Sequence, residues 1–183
     1  MIRAFIALPL PDEVKIALGA ASGLLEKSVY AKWVKPEAMH LTLKFLGNIE
    51  ENILGELSEG IDNIASRFLP FEMVLSSLGA FPSAKRARII WAGIDTEIVR
   101  LRELALLIDD LSAGFGILKE QRTFAAHITL ARLKASAVVN LDIKIPEINF
   151  TSKKIHLYKS DLSPNGAKYT VLHSSPFTGT SGG

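Results

Sequence analysis

His40-Leu41-Thr42-Leu43 returns far down the chain as His127-Ile128-Thr129-Leu130, and these copies hold two of the four histidines. In each copy polar and apolar residues alternate with period two, the pattern of a strand with one face in the core. His and Thr leave one side of it while Leu or Ile enters the other. Two strands are therefore expected, each presenting an imidazole beside a hydroxyl. An imidazole titrates at about pH 6.5, so one copy can take a proton while the other gives one, and the two hydroxyls can hydrogen-bond an anion held between them.

The rest of the chain is read around these strands. Residues 2 to 8 predict a strand, and Pro9 and Pro11 turn the chain into a helix with Val14, Ala17, Leu18, Ala21, Leu24 and Leu25 on one face. A short extended segment over 31–36 precedes the first His-Thr strand, which runs from His40 to about Leu46 and is closed by Gly47-Asn48. Leu54, Leu57, Ile61, Ile64 and Phe68 mark a second helix ended by Pro70. Residues 71–78 and 89–94 read as a strand pair around a turn at Gly79–Ser83. Asp95-Thr96 can cap a third helix carrying Ile98, Leu101, Leu104, Ala105, Ile108 and Leu111. After the second His-Thr strand, residues 154–162 and 168–173 predict a hairpin around Ser163-Pro164-Asn165-Gly166. This order favours an α+β fold with a mostly antiparallel sheet over a doubly wound parallel one. No linker divides the chain, so 1–177 is expected to be one bilobal domain, with a disordered tail over 178–183.

Several chemistries are poorly served by these residues. There is no cysteine and no Gly-x-Ser-x-Gly elbow for a nucleophile, and neither a Walker A loop nor a dinucleotide fingerprint for phosphates. Neither His-Thr copy has a second ligand at metal spacing, and His156 and His173, which could complete a four-histidine site, have no neighbouring carboxylate to orient them. No metal or cofactor is expected. The absence of cysteine and of a signal peptide fits a cytoplasmic protein, and the apolar run over 4–8 is too short to cross a membrane. A formal charge of +2 does not mark a general nucleic-acid coater, so any contact with nucleic acid should be local. Arg132, Lys134, Lys44 and the run Lys85-Arg86-Ala87-Arg88 are the candidate anion binders. Strict alternation from His127 puts Ala131, not Arg132, on the histidine face, so Arg132 needs a bulge or a long reach around the strand end to join it. Trp33, Trp91, Phe124 and Tyr158 could stack on a base, although aromatic residues on strands are more often core.

Beyond the copies themselves, several segments stand in a recognisable order. They are Arg3-Ala4-Phe5-Ile6-Ala7-Leu8-Pro9, Lys32-Trp33-Val34-Lys35-Pro36-Glu37, His40 to Gly47, Leu78-Gly79-Ala80-Phe81-Pro82, His127 to Arg132, and Leu157-Tyr158-Lys159-Ser160. Together they resemble the two-histidine phosphoesterases, and among them the RNA 2',3'-cyclic phosphodiesterases once called 2'-5' RNA ligases. One departure is Ala126, where that family often has proline before the second histidine. The resemblance implies two similar lobes, each a mostly antiparallel sheet with helices outside, and His-x-Thr strands facing a central cleft. It implies metal-independent opening of a terminal 2',3'-cyclic phosphate on RNA to a 2'-phosphomonoester, with 2'-5' ligation as a side activity. His40 and His127 would be acid and base; which is which does not follow from the sequence, and the assignment adopted is His127 activating water and His40 protonating the leaving oxygen. Thr42, Thr129 and Arg132 would hold the phosphate. The expected partners are RNA 3' ends bearing the cyclic phosphate, for a monomer away from membranes. The alternatives are another small cyclic phosphate, such as ADP-ribose 1'',2''-cyclic phosphate, or a non-catalytic RNA-end binding module.

Overall fold

The computed structural model describes residues 1–96, 98–164 and 166–180. Its strands, in chain order, are β1 (Ile2–Pro9), β2 (Lys32–Trp33), β3 (His40–Ile49), β4 (Phe71–Phe81), β5 (Ala87–Thr96), β6 (His127–Ala137), β7 (Ile148–Ser152), β8 (Lys154–Ser163) and β9 (Gly166–Pro176). The helices are α1 (Asp12–Leu25), α2 (Leu54–Ala65) and α3 (Ile98–Gly114). All nine strands join one antiparallel sheet in the order β7-β4-β5-β6-β3-β1-β8-β9, with β2 added to β6.

The sheet divides where β3 meets β6. There the strands pair only at Leu41 and Ile128, both fully buried, and β6 turns the rest of that edge to β2. Burying two such side chains contributes about 1.5–3 kcal/mol each, enough to pin the joint without a long ladder. The chain crosses the joint repeatedly. β1, β3, β8 and β9 build one half, and β2 and β4 to β7 the other. The α+β fold with a predominantly antiparallel sheet is thus the one the alternation of elements predicts.

Helix α1 buries Val14, Leu18, Ala21 and Leu25, but Leu24 is exposed. At about 100° per residue Leu24 lies at the edge of that stripe, so periodicity alone counts it among the buried residues while the fold leaves it outside. Helix α2 buries Leu57, Ile61 and Ile64, and α3 buries Leu101, Leu104, Ala105 and Ile108. Both lie against the β3-β1-β8-β9 half. Asp62 of α2 accepts from Ser175 Oγ of β9 at 2.6 Å and pairs with His173 Nε2 at 2.8 Å, and Asp109 of α3 pairs with Lys44 of β3.

Several boundaries differ from expectation. Gly47-Asn48 does not end β3, because Gly47, at φ 72°, lets the strand pass through a second irregularity and continue to Ile49. Strand β7 was not predicted; it is a five-residue edge strand after the irregular segment 138–147, too short to show a period of its own. The helix cap expected at Asp95-Thr96 and the turn at Asn165 depend on Glu97 and Asn165, which lie outside the described residues, although β8 and β9 pair up to Ser163 and Gly166. The tail expected to be disordered from Thr178 is held as far as Gly179, whose N–H donates to the Phe68 carbonyl at 2.9 Å. Residues 181–183 of that expectation lie outside the described ones. No helix among the described residues is long and apolar enough to cross a membrane.

Candidate active site

The Leu41–Ile128 pair sets the site. Antiparallel partners share a face, so continuing its register by one residue either way puts His40 beside Thr129 and Thr42 beside His127. All four side chains leave the sheet on the face opposite to Leu41 and Ile128. The burial of β3 and β6 runs in parallel from the histidines onward: His and Thr half-buried, the next residues buried in the same order. The joint is a local twofold in which each histidine is served by the other strand's threonine. No hydrogen bond or ion pair engages the Thr42 or Thr129 hydroxyl among the described residues, so both are available to an anion.

Each strand then breaks its alternation at the same place. Ala7 pairs with Thr42 but Ile6 with Lys44, leaving Leu43 extra; Trp91 pairs with Thr129 but Ile90 with Ala131, leaving Leu130 extra. These are matched β-bulges, and each re-aims the residues beyond it. Leu43 and Lys44 are buried in succession, as are Leu130 and Ala131, and the following residues, Phe45 and Arg132, return to the histidine face, both exposed. The obstacle that strict alternation placed before Arg132 is removed by this bulge. Arg132 forms no ion pair among the described residues, and its charge acts on both His40 and His127.

The histidines are held alike. His40 Nδ1 donates to the Ala38 carbonyl at 2.8 Å, and His127 Nδ1 to the Ala125 carbonyl at 2.7 Å. A carbonyl only accepts, so each neutral ring carries its proton on Nδ1 and keeps a free Nε2 lone pair. Rings back both imidazoles. Phe5 lies 4.6 Å from His40 and stacks on Tyr158 at 5.0 Å, with Tyr169 edge-on to His40 at 5.2 Å. On the other strand Phe81 meets His127 edge-on at 5.0 Å and Trp91 lies 6.5 Å away. Gly79 permits this stacking, because a Cβ there would run into the Trp91 ring.

These surroundings keep both rings uncharged. Burial pushes His40 down to about 4 against the opposing pull of the Ala38 carbonyl, and Lys15 and Arg132 add to the lowering. Burial also lowers His127, again against its carbonyl bond and with Arg132 adding; His127 is the more open of the two. At rest the free site therefore holds two neutral imidazoles, one free guanidinium and two free hydroxyls, and one ring has to gain a proton at Nε2 before it can act as an acid.

The other sequence candidates go elsewhere. Lys44, expected as an anion binder, faces away from the site; its Nζ donates to Asp109 Oδ1 at 2.5 Å and to the Leu118 carbonyl at 2.7 Å. The bulge turned it inward. Lys85 and Arg86 lie in a short 3-10 turn before β5, exposed. Trp33 pairs across from Ala131, on the buried side. Phe124 lines a cavity of about 300 Å³ with Ala125, Ala126, Ile94 and Leu101, just ahead of His127. His156 hydrogen-bonds the Tyr158 hydroxyl at 2.9 Å and His173 pairs with Asp62, so the four histidines do not gather. Sequence reasoning missed Phe5, Phe81 and Tyr169 as backing rings, and Phe45. Phe45 stands at the same offset from His40 as Arg132 from His127, which is the signal that could have found it.

Two antiparallel strands that oppose His-x-Thr pairs across a two-part sheet define a two-histidine phosphoesterase. The family profile described as LigT like Phosphoesterase matches residues 8–91 and 93–169, one His-x-Thr copy in each segment, and the chain belongs to this family. The RNA 2',3'-cyclic phosphodiesterase of Aquifex aeolicus is 30% identical over 94% of this chain and 95% of its own length. Among solved structures, a Thermus thermophilus protein superposes with a TM-score of 0.83 at 30% identity, covering 97% of this chain and 99% of that one. Escherichia coli LigT complexed with 3'-AMP gives 0.77 at 26% identity, covering 97% and 98%.

Proposed function

We propose that this protein hydrolyses the 2',3'-cyclic phosphate at an RNA 3' end to a 2'-phosphomonoester, by general acid–base catalysis that needs no metal. The observation that carries this reading is the pair of opposed imidazoles, each tied back through Nδ1 and free at Nε2. The name of the Aquifex relative and the 3'-AMP bound by LigT support the substrate class.

In the proposed reaction the non-bridging phosphate oxygens accept hydrogen bonds from Thr42 and Thr129, and Arg132 offsets the charge that grows on them. His127, the more open ring, takes a proton through Nε2 from a water attacking phosphorus. The P–O3' bond breaks opposite, and His40, which in the reactive form is an imidazolium protonated at Nε2 as well, gives that proton to the departing ribose oxygen. One proton is taken and one given, so the pair is reset by exchange with solvent. A strongly acidic imidazolium is an effective donor to an alkoxide, which suits the ring whose pKa is pushed lower. With the 5'-hydroxyl of a second RNA in place of water, the same steps form a 2'-5' phosphodiester, the proposed side activity.

The test is turnover of an oligonucleotide ending in 2',3'-cyclic phosphate in EDTA, with the product phosphate located, against ADP-ribose 1'',2''-cyclic phosphate as comparator. Conversion to a 2'-phosphate is expected; a higher kcat/KM on the comparator, or dependence on added metal, would overturn the reading.

The pKa directions fix the pH dependence. Both free-enzyme histidines lie below the ordinary 6.5, so at neutral pH the form with one protonated ring is scarce and grows on acidification until both rings protonate. kcat/KM is therefore expected to peak below pH 6.5, while kcat, measured with a bound phosphodiester anion that favours imidazolium, peaks at higher pH. A kcat/KM maximum above pH 7 would contradict this.

Phe45 offers the nucleoside a platform: its ring is 58% exposed and lies 6.1 Å from Phe5 on the site's own face. Stacking on a base is worth about 1–3 kcal/mol, so Phe45→Ala should raise KM by about 5- to 100-fold with little change in kcat, and Phe45→Trp should keep it. An unchanged KM in Phe45→Ala would remove the platform.

A further inference from the structure

Lys32 of β2 is the direct antiparallel partner of Arg132 of β6, so two cations stand side by side on the face that carries the histidines. Like charges directly opposite destabilise a sheet, and this pair has no compensating acid: neither side chain forms an ion pair among the described residues. Lys119 and Lys159 pair with Asp110 and Asp161, while Lys35 and Lys134, like Lys32, form no ion pair among the described residues, so what sets Lys32 apart is its place beside Arg132. β2 is only two residues long, and its other residue, Trp33, faces inward, so the outward product of this strand is Lys32 alone. The bulge at Leu130 brings Arg132 onto the catalytic face, and the same step brings Lys32 there with it.

Resting on the phosphodiesterase reading, we propose that Lys32 and Arg132 form a second phosphate subsite that takes the 5'-phosphodiester of the terminal nucleotide. Arg132 lies between the two anions. Along β6 the next outward position past Thr129 is about 7 Å away, the order of the distance from the 2',3' side of a ribose to its 5'-phosphate. Lys32, which flanks Arg132 and not the His-Thr pairs, is assigned to the second anion. The subsite makes the enzyme prefer an RNA end to a lone nucleoside cyclic phosphate, and its charge supplies affinity that salt weakens.

The experiment compares a nucleoside 2',3'-cyclic phosphate with the dinucleotide that carries the same end, for wild type, Lys32→Ala and Lys32→Arg. Wild type is expected to favour the dinucleotide in kcat/KM; Lys32→Ala should lose about three- to tenfold on the dinucleotide and nothing on the nucleoside, and Lys32→Arg should retain the preference. The dinucleotide's log–log salt slope should become shallower by about 0.7 in Lys32→Ala. Equal losses on both substrates, or none on either, overturn the subsite while leaving the phosphodiesterase standing. Affinity for the dinucleotide and nucleoside ending in 2'-phosphate is measured in parallel, so the subsite is decided even if wild type turns over neither substrate. A Lys32→Ala loss confined to the dinucleotide product supports it, and equal affinities overturn it.

Discussion

Alanine at His40 or at His127 is expected to lower kcat/KM on an RNA 2',3'-cyclic phosphate by about 10²- to 10⁴-fold each, with the fold retained. Each ring is held by a single bond to a neighbouring carbonyl and is neutral, so its removal breaks no ion pair. The double variant should fall little further than the worse single one, because the two groups act in one transition state and their effects do not add. Leaving-group chemistry separates the roles. A nitrophenyl phosphodiester expels an anion that needs no proton, so His40→Ala should recover most of its rate on that substrate while His127→Ala stays impaired. Recovery by His127→Ala instead would exchange the two assignments. A loss below about threefold in either variant on the RNA substrate, with circular dichroism unchanged, would sink the two-histidine scheme.

Lys44→Met is expected to destabilise the protein by about 3–5 kcal/mol, because it leaves the Asp109 carboxylate buried without its cation. The Lys44 and Asp109 side chains are 7% and 13% exposed, and Asp109 also accepts the Glu120 N–H at 3.2 Å. The network ties β3, α3 and the segment leading to His127, so the one pair links the strand of the first histidine to the approach of the second. At about 2–4 °C per kcal/mol for a chain of this size, the melting temperature should fall by about 6–20 °C in a thermal scan. Replacing both members with apolar residues, Lys44→Met with Asp109→Leu, should recover much of the loss, since the cost lies in the unpaired charge and not in the missing bond. A drop below about 2 °C for Lys44→Met would show that the carboxylate finds water and that the pair does not clamp this region.

Much of this was legible in the sequence. Period-two alternation at His40 and His127 placed the His-Thr pairs on strands, and 3.6-residue periodicity placed α1, α2 and α3, because both patterns depend only on which side of a local element meets the core. The His-x-Thr copies carried the site for the same reason: each is a local statement about one face of one strand. What stayed hidden depended on partners. Nothing in His127 to Arg132 says that Trp91 will pair with Thr129 while Ile90 pairs with Ala131, yet that one-residue offset turns Arg132 onto the histidine face. The matching offset in β3 turns Lys44 into the core and Phe45 out of it, reversing what alternation alone predicts for both.

The sequence by itself therefore determined the elements, the α+β class and the identity of the two histidines and two threonines, since these follow from short-range pattern and from the chemistry of the side chains. The tertiary structure alone decided the company they keep. The Leu41–Ile128 joint sets each histidine beside the other strand's threonine, and the carbonyls of Ala38 and Ala125 fix the imidazole tautomers. Lys32 comes to lie beside Arg132 by the same kind of pairing. Register and bulges are properties of a pair of strands, settled by packing across the sheet, and no single stretch of chain contains them.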